Sequence, residues 1–277
     1  MPSLVERLGY APDTRLVILN CDDIGSSHAA NLAALDAMER GVATSATLMV
    51  PCPWALEAAR LFQGKDVGVH LTLTAEYPGY RWRSLSGAAS LHDDEGFLPR
   101  TAAEVWERAR LEDVARECRA QIDQALAWGV DVTHLDSHMG VNQSNARYYE
   151  LYLELAEEYR LPLRMAGQSA EGRLGFPIRA PAAARGIVHP DELHFRWMNL
   201  TAELLKERVP KLKPGVTEFL AHPALDGPEL RGYDLEAAQV RVDDHACMID
   251  PATRALFETE GVGTISFRPL RELQRAA

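Results

Sequence analysis

Two aspartates stand side by side at the end of an apolar run, in LVILNCDDIG (residues 16–25). Like charges this close raise one another's pKa, so the pair makes sense where something needs both carboxylates. One suits a cation and its neighbour suits a proton. His70 lies in a second apolar run, DVGVHLTLT, and a third stretch, THLDSHMG, holds His134, Asp136 and His138. If these runs are strands whose ends converge, Asp23, His70 and His134 meet around one cation. Two imidazoles and a carboxylate suit zinc or another first-row divalent ion, whereas an all-oxygen shell suits magnesium better. Three protein ligands leave a position for water, as catalytic sites do. Because Asp22 and Asp23 are successive residues, they are expected to point in different directions, one ligating and one accepting a proton. His222 follows the apolar run in TEFLAHP and is placed to act as a general acid, since imidazole titrates near neutrality. Each histidine alone reads equally well as a hydrogen-bonded core residue. Asp23, His70 and His134 together at the ends of apolar runs, the first of them in a paired aspartate, favour the metal reading.

Strands must deliver these side chains to one place. Residues 15–20, 43–50, 67–73, 130–135, 161–165, 217–221 and 263–267 are short apolar stretches of strand length. Helical patterns lie between most of them: SSHAANLAALDAMERG, with capping serines and a closing glycine; WALEAARLF; the long TAAEVWERARLEDVARECRAQIDQALAWG; and SNARYYELYLELAEEYR. Strands alternating with helices predict an α/β protein with a parallel sheet, here a closed or nearly closed barrel, with an open doubly wound sheet as the other possibility. In such a barrel the C-terminal strand ends share one face, where active sites lie. Residues 74–100 break the rhythm. An irregular connection of this length is usually functional. Its Tyr77, Tyr80, Trp82 and Phe97 predict a cover over the barrel's open end or a contact with a second subunit. A second irregular stretch, residues 167–190, is expected at the same rim.

Composition narrows the class. The chain of 277 residues, 47% hydrophobic, can fill the core of one domain over residues 1–277. Its net charge of −11, with no run of Lys and Arg, disfavours nucleic acid or an anionic membrane as partner. No 18-residue apolar stretch is present, and MPSLVERLGY lacks the pattern of a secretion signal, so a cytoplasmic location is expected. Four cysteines without CxxC spacing read as reduced, mostly buried thiols. Cys21, beside the aspartates, reads as an apolar filler rather than a ligand or nucleophile. Neither a nucleotide-binding glycine loop nor a GxSxG elbow occurs.

Read together, these blocks resemble the YdjC-like carbohydrate deacetylase family. NCDDIG resembles its N-A-D-D-F/Y-G signature, VGVHLTLT its G-[IL]-H-[LF]-x-L-T block, and HLDSHMG its H-[IL]-D-S-H-x-H block. TEFLAHP resembles the late E-[IL]-x-x-H-P block, and SLHDDEGFLPR the family's S-L-x-D-x-x-G-x-F segment. The resemblance implies a distorted (β/α) barrel of about seven strands, TIM-barrel-like and akin to polysaccharide deacetylases. It also implies one divalent metal (zinc, magnesium or nickel) on Asp23, His70 and His134, with Asp22 as general base and His222 as general acid. Arg164, in LPLRM, then stands near the site, and Asp136, His138 and Arg164 are expected to meet the substrate. The implied reaction removes an N-acetyl group from a small soluble amino sugar or its conjugate, in a chain that forms a homodimer. Cys21 and Ile24 depart from the first block; Met139 and Gly140 stand where the third ends in histidine, so the pocket wall is expected to differ. The competing readings are a metal-dependent phosphoesterase, a deacylase of non-sugar amides, and a non-catalytic carbohydrate-binding protein. A pure binding site has no use for Asp22.

Overall fold

The computed structural model describes residues 2–194 and 201–276. Its centre is β1 (Arg15–Ile24), buried throughout except at Arg15. A strand covered on both faces reads as a nearly continuous apolar run, which is how LVIL runs into the acidic end. Six further strands, β2 (Ser45–Leu48), β3 (Val67–Leu71), β4 (Val132–Ser137), β5 (Glu192–His194), β6 (Gly215–Ala221) and β7 (Gly263–Thr264), complete a parallel, curled sheet in the order β4-β3-β2-β1-β6-β5, with β7 also pairing with β1. The expected distorted barrel is thus present as a half-barrel.

Side chains alternate between the two faces of the sheet. Val17, Leu19, Cys21, Phe219 and Ala221 enter the large outer core beneath the helices. Leu16, Ile18 and Val216 face inward and pack with Phe267 and Leu270 into a small apolar plug. Above that plug, on the same face, the alternation continues with Asn20, Asp22 and Glu218. The polar site therefore rests on an apolar floor.

Several elements differ from the sequence expectation. Residues 161–165 make only one bridge to β4, Leu135 to Leu163, so among the described residues no full strand closes the gap between β4 and β5. β5 was not anticipated, and β7 stops after two residues because Phe267 opens the helix Phe267–Ala276. The long helical pattern breaks into Ala102–Arg108 and Leu111–Ala127. Ala109 and Arg110 are extended there, and the Arg110 amide donates to Ser90 Oγ rather than along a helix.

Residues 74–100 hold only a 3₁₀ turn, Ala89–Leu91, yet they pack closely. Tyr77 and Trp82 are buried, and Tyr80 and Phe97 half-buried. Trp82 Nε1 donates to the Thr74 carbonyl at 2.8 Å and the Tyr80 hydroxyl to the Ser26 carbonyl at 2.6 Å. Tyr77 meets Tyr233 edge-on, and the Phe97 ring has Arg81 and Arg83 each 5.1 Å from its centroid. Tyr80, through Ser26, and Tyr77, against Tyr233, thus fasten this segment to its surroundings, while Trp82 and Phe97 pack within it. Among the described residues, no helix is long and apolar enough to cross a membrane.

Candidate active site

The acidic end of β1 is not a regular strand. Its pairing with β2 runs through Cys21 to Ala46 and resumes at Ile24 to Leu48, so one extra residue is accommodated on β1. Asp23 has a φ of 66°, in the left-handed region, which Asp tolerates better than most side chains. In a flat strand the two aspartates would face opposite sides. A bulge re-aims a side chain, and here both carboxylates reach the inner face. The Ser26 hydroxyl and amide both donate to the Asp23 carbonyl, at 2.6 and 3.1 Å, and fix the turn. Cys21 faces the other way. Its thiol meets Met248 Sδ, and burial pushes its pKa well up.

Asp23 Oδ1 lies 3.3 Å from His70 Nε2 and 3.4 Å from His138 Nδ1, and those two nitrogens are 3.3 Å apart. The triangle is nearly equilateral and buried, and Asp23 Oδ1 has no hydrogen-bond partner. Donors about 2.0–2.1 Å from a tetrahedral ion stand about 3.3 Å apart, so the residues fit a divalent metal without rearrangement. The far side of each donor group is already engaged. His70 Nδ1 is 2.6 Å from Asp136 Oδ1, His138 Nε2 is 3.1 Å from both Glu76 oxygens, and Asp23 Oδ2 accepts from Arg241 at 2.9 Å. A carboxylate behind a ligating histidine fixes its ring and tautomer. Burial alone would lower the histidine pKa values, but Asp136 beside His70 raises it to about 10 and Glu76 with Asp23 raises His138 to about 9. The carboxylates around the two imidazoles thus favour positive charge at this place, which a divalent cation would supply. Burial opposes ionisation of Asp23, yet His138, His70 and Arg241 hold its carboxyl well below the usual range.

His134, expected as the third ligand, does not join this triangle; His138 does. The reason is the layer each residue occupies. His70 pairs with Asp136 across β3 and β4, and His134, two residues earlier on the same face, lies one layer lower. Its ring stacks on Phe267 at 3.6 Å in the apolar plug. Gly68 makes room for it, since a Cβ there would come within 2.6 Å of His134 Cε1. Burial, together with Arg164, lowers the His134 pKa, which keeps the ring neutral.

Asp22 belongs to a second cluster. Arg164 Nη1 and Nη2 each donate to it at 2.7 Å, one to each oxygen. The same guanidinium reaches Asp136 Oδ2 at 2.6 Å and Glu218 Oε1 at 2.7 Å. Asp22, His70 and Asp136 also come close enough to suggest a metal, but Arg164 already occupies both of those carboxylates. Burial would raise the Asp22 pKa; Arg164, with His70 and His222, brings it down to about 2. It is ionised at neutral pH. His222 Nε2 lies 3.8 Å from Asp22 Oδ2, and its backbone amide donates to Asp244.

Glu218 shows the cost of so many carboxylates around one cation. Burial raises its pKa to about 7 despite Arg164, and its Oε2 has no hydrogen-bond partner. The folded chain therefore holds a proton that the unfolded chain releases near the ordinary value of 4.5. The stability this contributes is complete below pH 4.5 and is lost as pH rises through about 7. Glu218→Gln is expected to remove that slope, so urea midpoints of the two proteins should diverge in the variant's favour across this window.

A cavity of about 610 Å³ opens above the clusters, with Asp22, His70, His138, Arg164 and His222 at its base. Met139 and Gly140 form part of its wall, both left-handed at φ 51° and 65°, and Met139 is 41% exposed. Asp136, expected to meet substrate, is fully buried beneath the cavity and holds His70, Arg164 and Thr47 instead. His138 and Arg164 do reach the cavity. Glu76, Glu218 and Arg241 carry no role in the sequence reading, although Glu218 opens the E-[IL]-x-x-H-P block. Glu218 shares its strand face with His222, so period-two counting back from that histidine could have found it. Glu76 lies in the irregular segment and Arg241 in a distant helix, and neither carries a local signal.

A parallel half-barrel with a paired-aspartate bulge facing two histidines defines the class of protein. The chain belongs to the family described as YdjC-like protein, whose model matches residues 16–259. It is 36% identical over 257 residues to a carbohydrate deacetylase of Thermus thermophilus, covering 91% of this chain and 92% of that one. To a carbohydrate deacetylase of Geobacillus stearothermophilus it is 34% identical over 264 residues, covering 94% and 99%. A crystal structure of an Enterococcus faecalis protein superposes with a TM-score of 0.80 at 26% identity, covering 93% of this chain and 99% of that one.

Proposed function

We propose that this chain is a metal-dependent carbohydrate deacetylase, removing an acetyl group from the nitrogen of a small amino sugar or its conjugate. The observation that carries the metal part is the 3.3–3.4 Å triangle of Asp23 Oδ1, His70 Nε2 and His138 Nδ1, with its orphaned carboxylate oxygen. The relatives named carbohydrate deacetylase supply the substrate class. Zinc, or another first-row divalent ion, suits two nitrogens and one oxygen better than magnesium does. When bound, such an ion would polarise the acetamide carbonyl and acidify a water beside it.

The chain's own residues supply the remaining chemistry. Asp22, held ionised by Arg164, takes the proton from the attacking water. Arg164 fixes both oxygens of that carboxylate, so its direction is set before substrate arrives. His222, whose Nε2 lies 3.8 Å from Asp22 Oδ2, delivers a proton to the departing amine. Arg164 and His222 at the cavity base orient the amide, and Met139 with Gly140 shapes the wall beside it.

The test is acetate release by metal-reconstituted protein from N-acetylglucosamine, its short oligomers and N-acetylated glycoconjugates, with esters and phosphodiesters alongside. Acetate from at least one of the amides is the expected result. Phosphodiester cleavage with no acetate from any amide would replace this reading with the phosphoesterase one.

A further inference from the structure

The helix Ala238–Ile249 is remote from the acidic strand end in sequence, yet it sends one buried side chain into the metal triangle. Arg241 Nη1 donates to Asp23 Oδ2 at 2.9 Å, Nε to Asp234 Oδ2 at 2.7 Å, and Nη2 to the Tyr77 hydroxyl at 2.9 Å. The Tyr77 hydroxyl donates in turn to Asp234 Oδ2 at 3.2 Å. A guanidinium has only donors and keeps its charge in any folded protein, so these contacts fix its plane.

We propose that Arg241 is a positioning residue which fixes Asp23 with one oxygen turned to the two imidazoles, and that Tyr77 ties this hold to the packed state of residues 74–100. The inference rests on the metal reading given above. Asp23 sits in a left-handed bulge, where no ladder of hydrogen bonds sets its side chain. With Oδ2 claimed by Arg241, only Oδ1 is open to a cation. The carboxylate then ligates through a single atom and leaves room for water and substrate. Tyr77 belongs to the irregular segment, whose Glu76 neighbour backs His138. Two successive residues of that segment therefore back two different corners of the triangle, Glu76 directly and Tyr77 through Arg241.

The sign of the effect separates positioning from charge. Removing a nearby positive charge would by itself strengthen cation binding. Loss of orientation weakens it, by the 10–100-fold range (roughly) that follows removal of a group behind a metal ligand. The experiment titrates Co²⁺ into metal-free protein by calorimetry and visible absorption, using wild type, Arg241→Met, Arg241→Lys, Tyr77→Phe and the Arg241→Met/Tyr77→Phe double variant. Arg241→Met is expected to bind Co²⁺ about 10–100-fold more weakly, with an altered absorption band, and Arg241→Lys to recover part of both. Tyr77→Phe is expected to weaken binding less, and to add nothing to Arg241→Met, because it acts through that residue. Should Arg241→Met fail to fold, Tyr77→Phe alone carries the test. Unchanged or tighter binding with the wild-type spectrum in the folded variants would overturn the inference. Failure of wild type to bind Co²⁺, or wild-type binding by Asp23→Asn, would instead overturn the metal reading on which it stands.

Discussion

His138→Ala is expected to abolish stoichiometric binding of a divalent metal, while His134→Ala leaves about one ion per chain. The two histidines are four residues apart on the same stretch of β4 and its following turn, and the sequence reading puts His134 beside Asp23 and His70 and His138 against the substrate. In the structure only His138 turns a nitrogen to both. Deleting that nitrogen breaks the triangle, and the loss of affinity should exceed the roughly 100-fold that removal of an outer partner costs. His134→Ala instead leaves a hole against Phe267 in the apolar plug. Its expected cost is stability, about 2–5 kcal/mol on the scale of large-to-small core changes. Metal analysis after dialysis, paired with urea unfolding, reads both quantities. Metal lost in His134→Ala at a folded, saturating condition, with His138→Ala still loaded, would return the third ligand to His134.

Asp22→Asn is expected to keep the metal and the fold and to lose turnover by about 10²–10⁴-fold, the range a general base supplies. The amide keeps an oxygen for one Arg164 donor, and Asp136 and Glu218 still hold the guanidinium. The change therefore removes proton acceptance without dismantling the cluster. Retention of turnover in a variant with full metal would take Asp22 out of the base role. Parallel measurement of metal content separates that result from loss of the ion.

The local residues of this chain were informative about identity of parts. Alternation of apolar runs with capped helical patterns is a short-range property, and it led to a parallel α/β sheet with Asp22, Asp23 and His70 at strand ends. Ser27 caps its helix as the serines before that helical pattern implied. Asp22–Asp23 in its apolar setting pointed to a site because a buried pair of like charges has few other uses. Arg164 and His222 both line the cavity.

What the sequence could not decide was height, direction and partnership. His134, Asp136 and His138 share a strand face by parity alone; which of them meets Asp23 depends on the pairing of His70 with Asp136, a register set between strands. The bulge that turns two successive carboxylates to one side depends on β1 and β2 resuming their pairing one residue out of step. Asp136 moved from substrate contact to support because three buried groups converge on it from other strands and from residues 161–165. Arg241 and Asp23 are brought together across most of the chain by packing of a helix against the sheet end. Residue type and periodicity are written locally, whereas the layer a side chain occupies and the charge it faces exist only once the sheet has curled.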